Sequence, residues 1–149
     1  MPASIEVYNP MSAYNGAINT LEKNGIRATK QRRVLAKLIF DKGKRHLSAE
    51  NLFDEVKQEE RKISMATVYN TLKQFTNLGL IKEIVVDQNK SLYCNNNQIH
   101  YHLYIEDEGK VIDIPTKNID LDIPSIPACL HLHDIDVIVR IRTLKDKKS

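Results

Sequence analysis

Four potential metal ligands lie close together in the middle of the chain: Cys94, His100, His102 and Asp113. His100 and His102 are two residues apart, which puts both side chains on one face if their segment is a β-strand. Asp113 belongs to the next strand-forming run and lies near them if the two runs pair across the intervening turn. Imidazole and carboxylate groups suit iron, manganese or zinc, whereas a thiolate favours softer metals. The chemistry indicated is the binding of a divalent metal.

Each of these residues also has a plainer interpretation. A His-x-His pair on a strand is typical of exposed polar alternation, and Cys94 could be a small buried residue outside the site. His131 and His133 form a second pair with the same spacing, which could make another site or contact haem but is more typical of solvated histidines. The two cysteines, Cys94 and Cys129, are too few for a disulfide framework.

The elements that must position these ligands begin with helices. Residues 1–12 form a lead-in without clear periodicity, and residues 13–24 have the apolar spacing of a short helix. Three further helices are predicted, each with a Ser or Thr N-cap and an inward apolar stripe. Their N-caps are Thr29, Ser48 and Ser64. Short polar loops between such helices are typical of a helix-turn-helix bundle.

Strand-forming runs follow the helices. Residues 81–86 and 91–93 flank a polar turn and would complete a winged helix. Beyond a polar break at residues 95–98, three more strands are predicted, at residues 100–105, 110–114 and 135–141. The predicted fold class is therefore α+β, with an N-terminal winged helix-turn-helix domain at residues 1–94 and a small α/β dimerisation domain at residues 95–149. So few strands with Val and Ile on both faces need a partner, which predicts a homodimer.

Composition restricts the class of protein. Residues 1–90 carry 15 Lys and Arg against 10 Asp and Glu, whereas residues 91–149 carry 7 against 9. A basic front half fits a surface that meets nucleic acid, although solvated surfaces often carry a similar excess. No apolar run reaches the roughly 18 residues that a membrane span needs. The N-terminus lacks a signal-peptide pattern, so a cytoplasmic protein without a membrane partner is expected.

The helix predicted after Ser64 is the candidate DNA reader. With its apolar stripe facing the core, its other face carries Ser64, Ala66, Thr67, Tyr69, Asn70 and Lys73. Asn can pair with adenine, and Thr and Ala methyls can contact a thymine methyl in the major groove. Basic residues near helix starts and loops could neutralise phosphates; they are Arg27, Lys30, Arg32, Arg33 and Arg61. The alternative interpretation is the ordinary wet face of an amphipathic helix.

Three motifs in order along the chain resemble the ferric uptake regulator family: Gly25-Ile-Arg-Ala-Thr-Lys-Gln-Arg32, His46-Leu-Ser-Ala-Glu-Asn-Leu52 and Ser64-Met-Ala-Thr-Val-Tyr-Asn-Thr-Leu72. The last is the most specific, since it is similar to the family's recognition helix almost throughout. The similarity extends from about Gly25 to Asp113 and more loosely to Arg142. It implies a dimeric repressor whose affinity for AT-rich inverted repeats in double-stranded DNA depends on one bound divalent metal per protomer, either iron, manganese or zinc.

The resemblance also implies which side chains hold that metal. His46, His100, His102 and Asp113 fall where peroxide-responsive members hold their regulatory metal. His46 lies in the DNA-binding domain, so a site with ligands from both domains would set their relative angle only when occupied. Cys94 stands where the family usually has Asp or Glu; a thiolate there would favour zinc or could itself be oxidised.

The chain lacks one feature of most family members. They follow the His-x-His region with a Cys-x-x-Cys pair for a structural zinc, where this chain has Ile105 and Glu108. Two cysteines also exclude a structural tetrathiolate zinc by count. The missing pair is similar to the iron-response regulator branch, in which some members sense iron status through haem. His-Tyr-His is similar to the peroxide sensors, so both branches stay open.

Two other functions fit the residues less well. A metalloenzyme would need an open coordination position and a general base in a substrate pocket. The chain has no His-Glu-x-x-His, Gly-x-Ser-x-Gly or phosphate-binding glycine motif, so no enzymatic activity is expected. A metal or haem sensor that binds proteins instead of DNA is the other alternative, which a gel shift with an AT-rich palindrome separates from a repressor.

Overall fold

A computed structural model of the chain describes residues 8–96 and 98–145. The chain divides into two compact units, Met1–Asn97 and Gln98–Ser149. The first unit contains α1 (Pro10–Lys23), α2 (Lys30–Phe40), β1 (His46–Leu47), α3 (Ala49–Gln58), α4 (Met65–Asn77), β2 (Lys82–Asp87) and β3 (Lys90–Cys94). The second contains β4 (Tyr101–Ile105), β5 (Lys110–Ile114), a single 3₁₀ turn (Thr116–Asn118) and β6 (Ile138–Ile141).

Helices α2, α3 and α4 begin where their N-caps predict. The side chains of Thr29, Ser48 and Ser64 each accept a hydrogen bond from the backbone N–H three residues later. Helix α1 begins three residues earlier than its apolar spacing suggested. Asn9 caps it and Pro10 occupies its first turn, where a missing N–H costs no intrahelical hydrogen bond.

The core of the first unit lies between the four helices. Its largest fully buried side chains include Leu21, Leu35, Leu52, Leu72 and Phe75, which come from all four helices. Burying each such side chain contributes about 1.5–3 kcal/mol relative to leaving it exposed. Because Leu72 and Phe75 hold the inner face of α4 in this core, the opposite face of α4 is turned toward solvent.

Strands β1, β2 and β3 form an antiparallel sheet in the first unit, in the order β1-β3-β2. The hairpin of β2 and β3 is the wing that the sequence predicted. Strand β1 has only two residues and no period that sequence patterning could detect. It exists because β3 supplies its hydrogen-bonding partners, with His46 opposite Cys94 and Leu47 opposite Tyr93.

The second unit contains a separate three-stranded sheet in the order β5-β4-β6. Strand β5 pairs antiparallel to β4, and β6 pairs parallel to it. The β6 strand is shorter than the predicted run of residues 135–141, because its register with β4 begins at the pair His102–Ile138. Across the described residues, no helix is both long enough and apolar enough to cross a lipid bilayer.

Candidate metal centre and nucleic-acid interface

Three predicted ligands converge in the second unit. His102 and Asp113 are cross-strand partners on β4 and β5, and His100 lies just before β4. His102 is 3% exposed, and the side chains of His100 and Asp113 are 8% and 27% exposed. His100 Nε2 lies 2.8 Å from His102 Nε2 and 3.2 Å from Asp113 Oδ1, and His102 Nε2 lies 3.6 Å from that same oxygen.

The donor atoms of this triad fit a metal ion. Around a tetrahedral zinc, bonds of about 2.0–2.1 Å place ligand atoms roughly 3.3 Å apart, close to the three separations seen here. His100 Nδ1 lies 2.5 Å from the backbone oxygen of Gln98, which can only accept, so Nδ1 carries the proton. In the neutral tautomer with its proton on Nδ1, the lone pair of Nε2 points toward His102 and Asp113, the arrangement that second-sphere carbonyls impose on metal-bound histidines.

The other two predicted ligands, His46 and Cys94, lie together in the first unit. They face each other across the β1–β3 ladder, and the ligand atoms that they offer lie within 4.8 Å of each other. Cys94 is 1% exposed, and its place at the end of β3 makes it a buried thiol next to an imidazole. An imidazole and a thiolate are both ligands of zinc and of other first-row metals.

Asn95 holds the strand ends that carry His46 and Cys94. Its backbone N–H donates to the Arg45 oxygen at 3.3 Å, and its side-chain oxygen accepts from the Arg45 N–H at 2.7 Å. Its amide nitrogen donates to the backbone oxygens of Ile39 and Gly43, each at 2.8 Å. Asn95 is 2% exposed, so these bonds tie the end of α2 and the start of β1 to the end of β3.

The predicted DNA face is an exposed surface of α4. Ser64, Ala66, Tyr69, Asn70 and Lys73 are exposed, and Thr67 is half-buried. An open groove runs between this surface and the start of α2, and its lining includes Lys30, Arg32, Thr67, Asn70 and Lys73. Two helix surfaces far apart in sequence thus present basic and amide groups to one groove, as a nucleic-acid interface requires.

Arg27 and Arg32 lie at the same end of the first unit. The Arg32 guanidinium donates to the Arg27 backbone oxygen at 2.7 Å and to the Gln74 side-chain oxygen at 3.1 Å. Gln74 belongs to α4, so Arg32 connects the start of α2 to α4. Arg27 and Lys30 are exposed, whereas Arg32 is half-buried. Sequence patterning predicted the charges at these positions but not the bridge to α4.

One contact on the predicted DNA face had no sequence signal. The Tyr69 hydroxyl donates a 2.7 Å hydrogen bond to Oε1 of Glu50, which lies in the first turn of α3. This bond lowers the pKa of Glu50, as do its own backbone N–H, the Ser48 side chain and the charge of Lys90, against a smaller opposing effect of burial. The two partners are 19 positions apart in the sequence, which is too far for a local pattern to reveal the pair.

The second His-x-His pair has no comparable surroundings. His131, His133 and Cys129 are exposed in a stretch without regular secondary structure. Over residues 8–96 and 98–145, none of these three side chains belongs to a cluster of three or more metal-ligating groups. The triad of His100, His102 and Asp113 is thus the better supported metal centre of the second unit.

Comparison with known proteins agrees with the motifs. The sequence model of the ferric uptake regulator family matches residues 23–140. The peroxide-responsive repressor PerR of Staphylococcus saprophyticus is 30% identical over 104 residues, which make up 70% of this chain and 70% of that protein.

Solved structures agree with the fold. The Helicobacter pylori ferric uptake regulator matches with a TM-score of 0.68 at 18% identity, over 97% of this chain and 100% of that one. The Campylobacter jejuni peroxide stress regulator matches with a TM-score of 0.59 at 25% identity, over 86% of this chain and 96% of that one. A family match over most of the chain, with the same fold, means that this protein belongs to the ferric uptake regulator family.

Proposed function

We propose that this transcriptional regulator binds one divalent cation per protomer through His46, His100, His102 and Asp113, with Cys94 as a further ligand, and represses transcription when the cation is bound. The convergence of His100 Nε2, His102 Nε2 and Asp113 Oδ1 within 3.6 Å carries the proposal. Two imidazoles and a carboxylate that are mostly buried and point at one another would stabilise a cation far better than they stabilise one another.

The coupling to DNA rests on His46. This residue lies in the first unit, whose helix α4 is the proposed DNA reader, whereas the triad lies in the second unit. Asn95 anchors the end of β3, and only a few residues separate Cys94 from His100 along the chain. We infer that His46 and Cys94 join the triad around one cation, which would contribute binding free energy to a single arrangement of the two units.

The nature of the cation follows from the donor set and the relatives. Solved relatives include a ferric uptake regulator from Pseudomonas aeruginosa with manganese and a zinc-bound manganese uptake regulator. Imidazole and carboxylate suit manganese, iron and zinc, and participation of the Cys94 thiolate would shift the preference toward zinc. Zinc, manganese and ferrous iron are therefore the cations to test, with haem as a separate arm because of the iron-response resemblance.

The DNA ligand follows from the α2–α4 groove and the dimeric nature of the family. A helix in the major groove reads one half-site, and a two-fold symmetric dimer reads two half-sites in inverted orientation. Asn70 suits adenine, and Ala66 and Thr67 offer methyl groups to thymine. We therefore propose an AT-rich inverted repeat as the operator.

The test measures DNA affinity with and without metal. The chelator-treated protein selects duplexes from a random library in the presence of each cation in turn, and the affinity for the selected duplex is then measured by fluorescence anisotropy. We expect the correct cation to raise DNA affinity roughly 5- to 150-fold, the usual size of allosteric coupling. Haem, added alone, should not reproduce this increase.

Two ligand variants separate binding from coupling. His102→Ala should weaken metal affinity by at least roughly tenfold and abolish the response of DNA binding to metal, while leaving the helical fold intact. His46→Ala keeps the triad, so it should retain weaker metal binding but lose the coupling to DNA. His131→Ala, which removes an exposed histidine outside the cluster, is the matched control. Full metal-dependent DNA binding by His46→Ala would refute the bridging role.

A further inference from the structure

The Tyr69–Glu50 pair joins the outer face of α4 to the first turn of α3. Tyr69 is 45% exposed, and its neighbours Ala66 and Asn70 are exposed on the same helix surface. Its hydroxyl hydrogen is nevertheless committed to Glu50 Oε1 at 2.7 Å. The ring is therefore held at both ends, by the α4 backbone and by a carboxylate on another helix.

The carboxylate is itself well positioned. Glu50 follows the capping box of α3, in which Ser48 and Asn51 exchange hydrogen bonds. Its own backbone N–H, the Ser48 side chain and the charge of Lys90 favour its ionised form in addition to Tyr69. An anion near the N-terminus of a helix is also favoured by the helix dipole. Glu50 is thus an ionised acceptor in the first turn of α3, and the Tyr69 hydroxyl donates to it.

A fixed hydroxyl changes what Tyr69 can offer to a base pair. A tyrosine with a free hydroxyl can donate to acceptors on any base edge, including guanine N7 and O6. With its hydrogen directed at Glu50, the side chain presents mainly the apolar edge and face of its ring. Among the groups in the major groove, the thymine methyl is the one that such a surface recognises best.

We propose that Glu50 is a positioning residue for base selection, which locks the Tyr69 ring so that α4 presents an apolar surface to a thymine methyl. This inference rests on the proposed DNA-binding function of the α4 surface. The inference assigns a role in base selection to Glu50, which is negatively charged. Binding to the DNA phosphates alone would disfavour a negative charge at this position.

The experiment removes single methyl groups from the DNA. The operator is the duplex that wild-type protein selects from a random library with metal present, and each thymine in a half-site is replaced in turn by deoxyuridine. For wild type, we expect at least one replacement per half-site to weaken binding about fourfold, the worth of one buried methyl group. Failure of wild type to select any duplex would overturn the proposed function, and this inference with it.

Variants of Glu50 and Tyr69 then test whether their hydrogen bond fixes the ring for base selection. Glu50→Gln keeps a side-chain oxygen that accepts from the phenol, so it should keep the thymine-over-uracil ratio. Glu50→Ala and Tyr69→Phe should each bring that ratio close to one, and the double variant should lower it no further. Asp54→Ala, which removes an exposed carboxylate one turn along α3, is the control for charge and should keep the ratio.

Two results would overturn the inference while leaving the proposed function intact. In one, Glu50→Ala or Tyr69→Phe retains the wild-type ratio although wild type selects an operator and distinguishes thymine from uracil. In the other, Glu50→Gln and Glu50→Ala both bind every duplex more tightly by one common factor, which would mean that Glu50 acts only through its charge. Loss of stability in α3 would lower the affinity for every duplex together without changing the thymine-over-uracil ratio. Thermal unfolding followed by circular dichroism measures that stability separately.

Discussion

At the scale of single residues, the ion pair beside His46 supports β1. The Arg45 guanidinium donates two hydrogen bonds to the Glu55 carboxylate, at 3.0 and 2.7 Å, and Lys42 also pairs with it. Burial alone would raise the pKa of Glu55, but the hydrogen bonds from Arg45 and Lys42 outweigh it and lower the pKa below 4.5. This ion pair is bidentate, and its side chains are only 14% and 21% exposed. It should therefore contribute more to stability than an ordinary surface ion pair.

The lowered pKa of Glu55 predicts the pH at which this pair stabilises the fold. A carboxyl group with a lower pKa in the folded state contributes stability above its unfolded pKa, near 4.5, and this contribution is lost as pH falls through the lower folded value. We expect Glu55→Gln to reduce the free energy of unfolding by about 1 kcal/mol at pH 7. The difference from wild type should shrink below pH 4.5, as measured by urea titration at several pH values.

An exposed pair serves as the control for this titration. Glu22 lies 3.7 Å from Arg33, with side chains 56% and 46% exposed, so Glu22→Gln should change stability little at any pH. A loss in Glu55→Gln that is equally large at pH 3 and pH 7 would show that packing, and not the charged pair, is responsible.

At the scale of elements, Asn95 joins three segments that no local pattern connects. Its side chain bonds to Ile39 and Gly43 at the end of α2 and to Arg45 before β1, and it follows β3 directly. Tyr8 adds a hydrogen bond from its hydroxyl to the Phe40 oxygen at 2.7 Å, and burial raises the pKa of that phenol to about 12. The ends of α2, β1 and β3 are therefore held by one amide and one phenol.

Removing the Asn95 amide should destabilise the first unit. Asn95→Ala leaves two backbone oxygens and one N–H without their side-chain partner, which should cost about 2–4 kcal/mol of unfolding free energy. Asn24→Ala, which removes one exposed bond to the Thr20 oxygen, should cost under about 1 kcal/mol. Urea unfolding followed by circular dichroism measures both, and equal small losses would mean that water replaces the Asn95 bonds.

At the scale of the whole molecule, the second sheet has two chemically different faces. Cross-strand pairing puts His102, Asp113 and Ile138 on one face and Leu103, Ile112 and Val139 on the other. The first face carries the proposed metal ligands of the second unit. The second is apolar and partly open to solvent, with Ile112 50% exposed and Ile141 39% exposed. Family members are dimeric regulators, and we propose that this apolar face forms the dimer interface.

A charge on the apolar face should therefore dissociate the dimer. We expect Ile112→Glu to sediment as a monomer at micromolar concentrations at which wild type is dimeric, because a symmetric interface would bury two unpaired carboxylates. Its affinity for an inverted repeat should fall by more than roughly tenfold, since each monomer contacts one half-site. Leu144→Glu, which changes a 92% exposed side chain outside the strands, is the control. A dimeric Ile112→Glu protein would place the interface elsewhere.

The amino-acid sequence by itself determined the features that depend on neighbours within a few residues. The N-caps at Thr29, Ser48 and Ser64 and the inward stripe of α4 were predicted correctly, because capping and helical periodicity are local. Period-two alternation put His100 and His102 on one face of a predicted strand and Asp113 on the next strand. The structure pairs these two strands and sets His102 opposite Asp113. The family itself was recognisable from three short motifs in order along the chain.

Only the tertiary structure decided the contacts between residues far apart in the chain. Strand β1 exists because β3 pairs with it some 50 residues later, and the Asn95 bonds span a similar distance. The Glu50–Tyr69 lock depends on how α3 packs against α4 and has no pattern of its own. Such contacts form when the burial of apolar side chains brings distant segments together, and a polar side chain at that junction takes whichever partner the packing places within reach.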